Sequence, residues 1–270
     1  MIAQTDSAQS ALTIMQRSLS QGLPILFERP TYEWVARVNQ KQKELDSLEL
    51  PAEARKKIDR WADTEFVYST MKLEGFDIQR KLVARIASSQ TALDDSTEVQ
   101  SARNLFDSLR TVTSAARSQG KDAPLSVELL YKLNGASDAR DVRSPGDASS
   151  GSRPENLQLI IDSALQWFSA ESFAELHPVE QASIVFLRLI ELRPFDKGNE
   201  RTALVAAGLF TQRSGLPPII IEPETQPAYR AALSEGLRMS TKPMVEFVAA
   251  SVERSLTRMI AAIGGEPTQR

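Results

Sequence analysis

The sequence contains no cysteine, only one histidine (His177), and no run of 18 apolar residues. Without cysteine, disulfides and thiolate metal sites are excluded, as is usual for proteins of reducing compartments. Without a long apolar run, no transmembrane helix is expected. The first 22 residues lack a basic segment followed by an apolar one, so they do not predict a signal peptide. These absences predict a soluble cytoplasmic protein.

An excess of charge of one sign is also missing. The 270 residues carry 32 basic and 35 acidic side chains, a formal net charge of −3. This balance predicts no general attraction to nucleic acid or to an anionic membrane. With 41% hydrophobic residues, the chain is long enough to bury a sizeable core as one large domain or as a domain with an extension.

Helical periodicity dominates the pattern of apolar residues. Pro51 suits the first turn of a helix, and Gly75 suits the position just after a helix end. The spacing predicts helices over 31–48, 51–74, 78–88, 97–118, 126–134 and 244–263, with a shorter one around Ala11 to Leu19. His177-Pro178 starts a further helix, which places the only histidine about 16 residues before the stretch described next. We expect a capping or surface role for it.

The chain is organised around residues 193–204, RPFDKGNERTAL, between two helices that the pattern predicts to be buried. Pro194 disfavours helical geometry at the preceding residue, so the first helix should end at Arg193. Asn199 is a favourable N-cap for the second helix. A loop that leads into a helix N-terminus presents free N–H groups, which makes it a candidate phosphate cradle.

These residues resemble the signature of the Fic (Fido) family, His-Pro-Phe-x-(Asp/Glu)-Gly-Asn-Gly-Arg-x-x-Arg. The resemblance implies an all-α Fic fold and transfer of AMP from ATP to a hydroxyl side chain of a protein, with Mg²⁺ bridging the phosphates. The nucleotide would be bound at Phe195, Gly198, Asn199, Glu200 and Arg201.

Four positions depart from that signature. Arg193 replaces the histidine that acts as general base, and a guanidinium, with a pKa above about 12 and no lone pair, cannot accept the proton. Lys197 replaces the acidic metal ligand, which leaves Asp196 as a weak candidate for Mg²⁺. Leu204 replaces the second arginine, which contacts phosphate in the family.

Glu200 replaces the second glycine. At about 4 Å and an effective dielectric constant near 20, its carboxylate would repel a phosphate charge by roughly 4 kcal/mol. We expect it to be neutralised by Arg193 or Lys197.

Residues 70–75, TMKLEG, resemble the inhibitory motif of some Fic proteins, (Ser/Thr)-x-x-x-Glu-(Gly/Asn). The matching residues are Thr70, Glu74 and Gly75. In such proteins the glutamate pairs with the second arginine of the signature. Because that arginine is Leu204 here, Glu74 is expected to pair with Arg201 or Arg193.

The resemblance covers about residues 60 to 255. It divides the chain into an N-terminal helical extension (1–60), a Fic-like domain with an inhibitory-type helix (61–255, helix 51–74), and the end of the last helix with a tail (256–270). Family members carry a β-hairpin flap where residues 137–155 lie. That segment is rich in turn-forming residues, and Val142 is the only β-branched residue nearby, so the flap is expected to be degenerate.

Two functions from different classes remain open. One is a Fic-fold protein that no longer transfers AMP and binds a partner protein or a small anionic ligand. The alternative is an active nucleotidyl- or phosphoryl-type transferase with another donor or a water-mediated base, which the retained signature residues favour. The resemblance also leaves room for a homodimer.

Overall fold

The structure, a computed structural model, describes residues 32–88, 96–118, 120, 125–134, 162, 165–166, 168, 171–195, 197–238 and 240–263. The short helix predicted near residues 11–19, the flap segment 137–155 and Asp196 lie outside this part. Contacts along the chain separate Met1–Glu33 from a compact unit, Trp34–Arg270, which contains all of the described helices apart from Glu33, the first residue of the first helix. The division predicted at residues 60 and 61 stays a prediction.

The described part is helical, with no β-strand in it. Its α-helices are α1 (Glu33–Asp46), α2 (Ala52–Leu73), α3 (Arg80–Ala87), α4 (Thr97–Ser118), α5 (Val127–Leu133), α6 (Glu171–Ala174), α7 (Pro178–Leu192), α8 (Asn199–Arg213), α9 (Gln226–Gly236) and α10 (Lys242–Ile263). A 3-10 helix, Pro223–Thr225, precedes α9. The predicted all-α class is confirmed.

The helix ends follow the local chemistry of the sequence. Helix α2 ends at Leu73, with Glu74 as C-cap and Gly75 at a φ of 86°, the left-handed conformation that glycine adopts without strain. His177 is the N-cap of α7. Its Nδ1 accepts a hydrogen bond from the Val179 N–H (3.2 Å), and Glu180 completes a capping box. The histidine therefore has the capping role expected of it.

Helix α8 forms the centre of the core. All residues from Thr202 to Thr211 are buried, because α7, α4 and α5 pack against it. Leu204, at the position of the family's second arginine, is 2% exposed and belongs to this core. A helix of 15 residues is roughly 21 Å long, so the two ends of α8 reach separate regions of the molecule.

The remaining helices enclose this centre. Helix α10 packs on α9, α7 and α2, and α1 is joined to α10 by an ion pair between Arg37 and Glu253 (3.0 Å). The β-prone residues Ile219–Ile221 form no strand: they are buried without regular structure, and Ser251 Oγ donates to the Ile220 carbonyl (2.6 Å). None of the helices described is long and apolar enough to cross a membrane.

A carboxylate on α2 gives the fold a predictable pH dependence. Burial, and secondly the charge of Asp59, raise the pKa of Asp63 from 3.8 to about 6, while Arg117 and Arg110 of α4 act in the opposite direction. The fold thus favours the protonated form of Asp63. Its contribution to stability is present at low pH and is lost as the pH rises from about 4 to about 6.

We therefore expect Asp63→Asn to gain stability relative to the wild type over this pH range. The difference in free energy of unfolding should grow by up to about 1.4 kcal/mol per pH unit and then stay level. Urea unfolding at several pH values measures it. The matched control is Glu246→Gln, an exposed carboxylate of α10, for which no such trend is expected. A difference that does not change with pH would contradict the prediction.

Candidate functional site

The loop between α7 and α8 has a constrained backbone at both ends. Arg193 follows α7 at a φ of 44°, and it is the only non-glycine residue with positive φ in the described part of the chain. Its N–H donates to the Leu189 carbonyl (3.0 Å), which closes the helix. At the other end Gly198 has a φ of 70°. A left-handed arginine costs roughly 1–2 kcal/mol, so the loop shape is maintained by contacts elsewhere.

Asn199 and Phe195 supply those contacts. Asn199 Oδ1 accepts from the Phe195 N–H (2.9 Å), and Asn199 Nδ2 donates to the Phe195 carbonyl (2.6 Å). The Phe195 ring is 1% exposed and meets Tyr131 edge to face, with ring centroids 6.0 Å apart. The amide of Asn199 therefore fastens the loop to the first turn of α8.

This use of Asn199 corrects one prediction. The N-cap of α8 is Gly198, and Asn199 is the first residue of the helix. The expected N-cap was wrong by one residue, because the amide binds the Phe195 backbone instead of a helix N–H. An α-helix leaves its first N–H groups without partners inside the helix, and Gly198 has no side chain to cap them.

Arg201 lies across this helix end. A methyl group placed on Gly198 would be 2.6 Å from Arg201 Nε and 3.0 Å from Asn134 Oδ1. The guanidinium thus covers the glycine, and a larger residue here would have to displace the Arg201 side chain and adopt a positive φ. Asn134, the C-cap of α5, also accepts a hydrogen bond from Thr202 Oγ1 (2.9 Å).

The same guanidinium pairs with Glu74. Arg201 Nη1 lies 3.6 Å from Glu74 Oε2, and the two side chains are 24% and 17% exposed. Of the two partners expected for Glu74, the structure contains the pair with Arg201. Burial, with a smaller contribution from the charge of Glu200, raises the pKa of Glu74, and Arg201 opposes this rise.

Thr70 and Gly75, the other residues of the inhibitory motif, have different surroundings. Thr70 is 1% exposed, and its hydroxyl has no hydrogen-bond partner in the described part of the chain. Gly75 is exposed and serves to end α2. Only Glu74 of this motif connects to the loop, and an inhibitory role for the motif stays a prediction.

Glu200 has partners other than those predicted. Its Oε1 accepts hydrogen bonds from the Tyr229 hydroxyl (2.5 Å) and from Arg230 Nη1 (2.9 Å). The expected pairing with Arg193 or Lys197 was wrong, because both of those side chains are exposed while α9 presents a buried donor to the first turn of α8. Tyr229 is fully buried, and its burial together with the nearby Glu200 charge raises the pKa of its hydroxyl, which keeps it a donor.

Sequence reasoning did not identify Tyr229, Arg230 and Asn134 as residues of this region. The signal available was weak: Tyr229 and Arg230 are adjacent in a helix that follows the signature. Their contact with Glu200 joins residues 29 and 30 positions apart, which no local pattern encodes.

Three features of the described residues bear on whether a magnesium–nucleotide complex could be bound here. The helix end that would receive phosphate is covered by Arg201, which is paired with Glu74, and the charge of Glu200 also acts on Glu74. Asp196 is outside the described residues, and among those described there is no group of three or more acidic or histidine side chains placed to hold a metal ion. The exposed Arg193 offers no proton acceptor.

The described helices enclose a loop that leads into the N-terminus of a buried helix, and comparison with known proteins relates this arrangement to the Fic fold. Residues 123–211 match the model of the Fic/DOC family. The resemblance to the Fic family inferred from the signature is therefore confirmed for these residues.

Similar proteins include the protein adenylyltransferase fic-1 of Caenorhabditis elegans, 34% identical over 110 residues, which are 41% of this chain and 22% of that protein. The protein adenylyltransferase Fic of Drosophila melanogaster is 29% identical over 116 residues, 43% of this chain and 24% of the fly protein. These matches span about a quarter or less of the relatives' length.

Solved structures share the fold. A structure of C. elegans Fic-1 (residues 134–508) superposes with a TM-score of 0.74 at 24% identity, over 85% of this chain and 71% of the other. A Fic-domain signalling protein from Bacteroides thetaiotaomicron gives a TM-score of 0.73 at 23% identity, over 88% of this chain and all of the other. The likeness supports the helical Fic fold for most of the chain.

Proposed function

We propose that this Fic domain does not transfer AMP and acts as a binding or regulatory module for a partner protein. The single observation that carries the proposal is the Glu200 carboxylate, fixed at the first turn of α8 by Tyr229 and Arg230. It places a negative charge at the helix end that would otherwise attract phosphate.

The proton chemistry of the loop supports the same proposal. Transfer to a hydroxyl requires a group that accepts the hydroxyl proton, and Arg193 has no lone pair to do so. Loss of a general base alone lowers a rate by about 10²–10⁴. His177, the only histidine of the chain, caps the far end of α7, about 24 Å away along a helix rising 1.5 Å per residue.

The Arg201–Glu74 pair also supports the proposal, because it engages the guanidinium that a phosphate ligand would need. In a phosphate site an arginine of the first turn would direct its guanidinium to the anion. Here that guanidinium is engaged by Glu74, the C-cap of α2, and covers Gly198. A phosphate ligand would have to displace an internal carboxylate and approach a second one.

The direct test is incubation of the chain with labelled ATP and Mg²⁺, alone and with cell extract, beside the C. elegans adenylyltransferase fic-1 as positive control. We expect label on protein at less than about 1% of the control rate, in line with the loss of the base. Labelling comparable to the control would contradict the proposal.

A thermal-shift panel of nucleotides and related phosphate donors separates this proposal from the alternative transferase. We expect no shift with any donor. A shift that Arg201→Ala abolishes would favour a transferase with another donor. Under the proposal the same variant should leave the panel unchanged.

A further inference from the structure

The single histidine of the chain joins two helices that are far apart in the sequence. His177 caps α7, and its ring also contacts α1. The ring centroids of Trp34 and His177 lie 5.0 Å apart in an edge-to-face arrangement, and His177 Nε2 lies 3.2 Å from Asn39 Oδ1. Because Trp34 is only 5% exposed, this contact is part of the attachment of α1 to the rest of the unit.

The contacts of the two ring nitrogens of His177 require one protonation state. Nδ1 accepts a hydrogen bond from the Val179 N–H (3.2 Å), and it therefore carries no proton. In a neutral imidazole the proton is then on Nε2, which donates it to Asn39 Oδ1. Only the neutral ring can form both hydrogen bonds, one within α7 and one to α1.

Protonation of Nδ1 removes the acceptor that caps α7. The new N–H of the ring then faces the N–H of Val179, and a positive charge lies at a helix N-terminus, where the helix dipole disfavours it. The ring relieves both by turning away from the helix end, and this movement breaks the hydrogen bond to Asn39 and the contact with Trp34. A proton bound by His177 therefore acts against the attachment of α1.

The surroundings of His177 favour the neutral ring. Burial lowers the pKa of its imidazole below the ordinary value of 6.5. The charged side chains within about a turn of the contacting residues, on each element beside the ring, are Glu33, Arg37, Lys43, Glu175, Glu180 and Arg213. None of them is a cause of the lowered pKa. The carboxylate of Glu180, which would favour an imidazolium, accepts a hydrogen bond from the His177 backbone N–H (3.0 Å).

The other attachments of α1 are modest. Val38 and Leu45 are buried, Gln42 Nε2 donates to the Ser214 carbonyl (2.5 Å), and Arg37, half exposed, forms its ion pair with α10. An exposed ion pair contributes about 0–1 kcal/mol. Helix α1 has 14 residues, and a helix of this length is only marginally stable by itself in water. Loss of the His177 contacts therefore shifts α1 toward release.

We propose that His177 is a pH-dependent switch for α1, which is attached to α7 while the imidazole is neutral and released when the imidazole binds a proton. Histidine is the side chain whose charge ordinarily changes between about pH 5 and 8, so mild acidification is the signal. Release uncovers the apolar surfaces that Trp34, Val38 and Leu45 cover. The proposal does not depend on whether the chain transfers AMP.

Two measurements on the full chain between about pH 7.5 and 5 test the switch. In proton NMR the single histidine gives one imidazole signal, and we expect its titration midpoint below 6.5. Hydrogen exchange by mass spectrometry follows α1, with α8 as internal reference. On acidification α1 should exchange faster than in His177→Asn at the same pH, by up to about tenfold for each unit by which the pKa of the imidazole differs between the attached and released states.

The variant His177→Asn keeps a favourable N-cap and has no proton to gain, and it retains Asp63, whose titration overlaps this pH range. Asn39→Ala is the second test: α1 should exchange faster already at neutral pH, and the imidazole midpoint should move toward 6.5. Its matched control, Gln40→Ala, changes an exposed neighbour and should alter neither.

Three results would each overturn the proposal. The first is an imidazole midpoint at or above 6.5. The second is the same pH dependence of α1 exchange in the wild type and in His177→Asn. The third is acceleration of α8 as large as that of α1, because it would indicate unfolding of the whole unit.

Discussion

Replacing Phe195 by alanine is expected to lower the free energy of unfolding by about 3–5 kcal/mol, the range for deleting a buried phenylalanine. The ring is 1% exposed and packs edge to face on Tyr131. Its backbone is bonded on both sides by the Asn199 amide. The cavity cannot be filled easily, because these two contacts fix the loop around the ring.

Urea unfolding of the wild type and variant measures this loss. Phe76→Ala is the matched control, since Phe76 follows α2 and is only partly buried. Its expected loss is smaller, about 1–2 kcal/mol, because less apolar area leaves water there. If the Phe195 variant loses no more than the Phe76 variant, the loop is not anchored by this side chain.

Replacing Glu200 by glycine is expected to raise the affinity for ATP at least about tenfold, which corresponds to about 1.4 kcal/mol. A carboxylate about 4 Å from a phosphate charge repels it by roughly 4 kcal/mol at an effective dielectric constant of 20. Arg230 already neutralises part of this charge, so the gain should be smaller than the full repulsion. The change also frees the Tyr229 hydroxyl and Arg230 to donate to an incoming anion.

Calorimetric titration with ATP, with and without Mg²⁺, measures the gain. Glu200→Gln separates charge from space, because it removes the negative charge and keeps the volume of the side chain. If the negative charge of Glu200 is what weakens ATP binding, both variants should bind ATP more tightly than the wild type. If the volume of the side chain is the cause, only the glycine variant should do so. An unchanged affinity in both would show that Glu200 does not exclude phosphate. Neither variant should transfer AMP, because Arg193 still supplies no base.

The features that the sequence predicted well depend on neighbours within a turn or two. Helix α4 was predicted at its observed bounds and α2 within one residue at each end, because periodicity and end residues are local signals. The capping role of His177 and the glycine that ends α2 belong to the same category. The signature also identified the family, since five of its residues keep their spacing.

The wrong predictions at the candidate site concern side chains that have both local and distant possible partners. Asn199 could either cap its helix or bind the loop. It binds the loop because Phe195, whose backbone it contacts, occupies a buried position. The two partners predicted for Glu200, Arg193 and Lys197, lie within seven residues of it, yet it binds Tyr229 and Arg230 of another helix. Asp63 also lines a cavity of about 340 Å³ whose walls come from α1, α2, α4, α8, α10 and the segment after α8. No single stretch of sequence contains it.

The left-handed backbone of Arg193 has a consequence for engineering. Histidine, together with asparagine and aspartate, is several-fold enriched among non-glycine residues at positive φ, so an imidazole could be installed at residue 193 without remodelling the main chain. Leu204 is the opposite case: at 2% exposure an introduced guanidinium would enter the protein interior uncompensated. A designer aiming to introduce nucleotide chemistry would therefore meet the obstacle in the interior, about one turn into α8, while residue 193 stays sterically open.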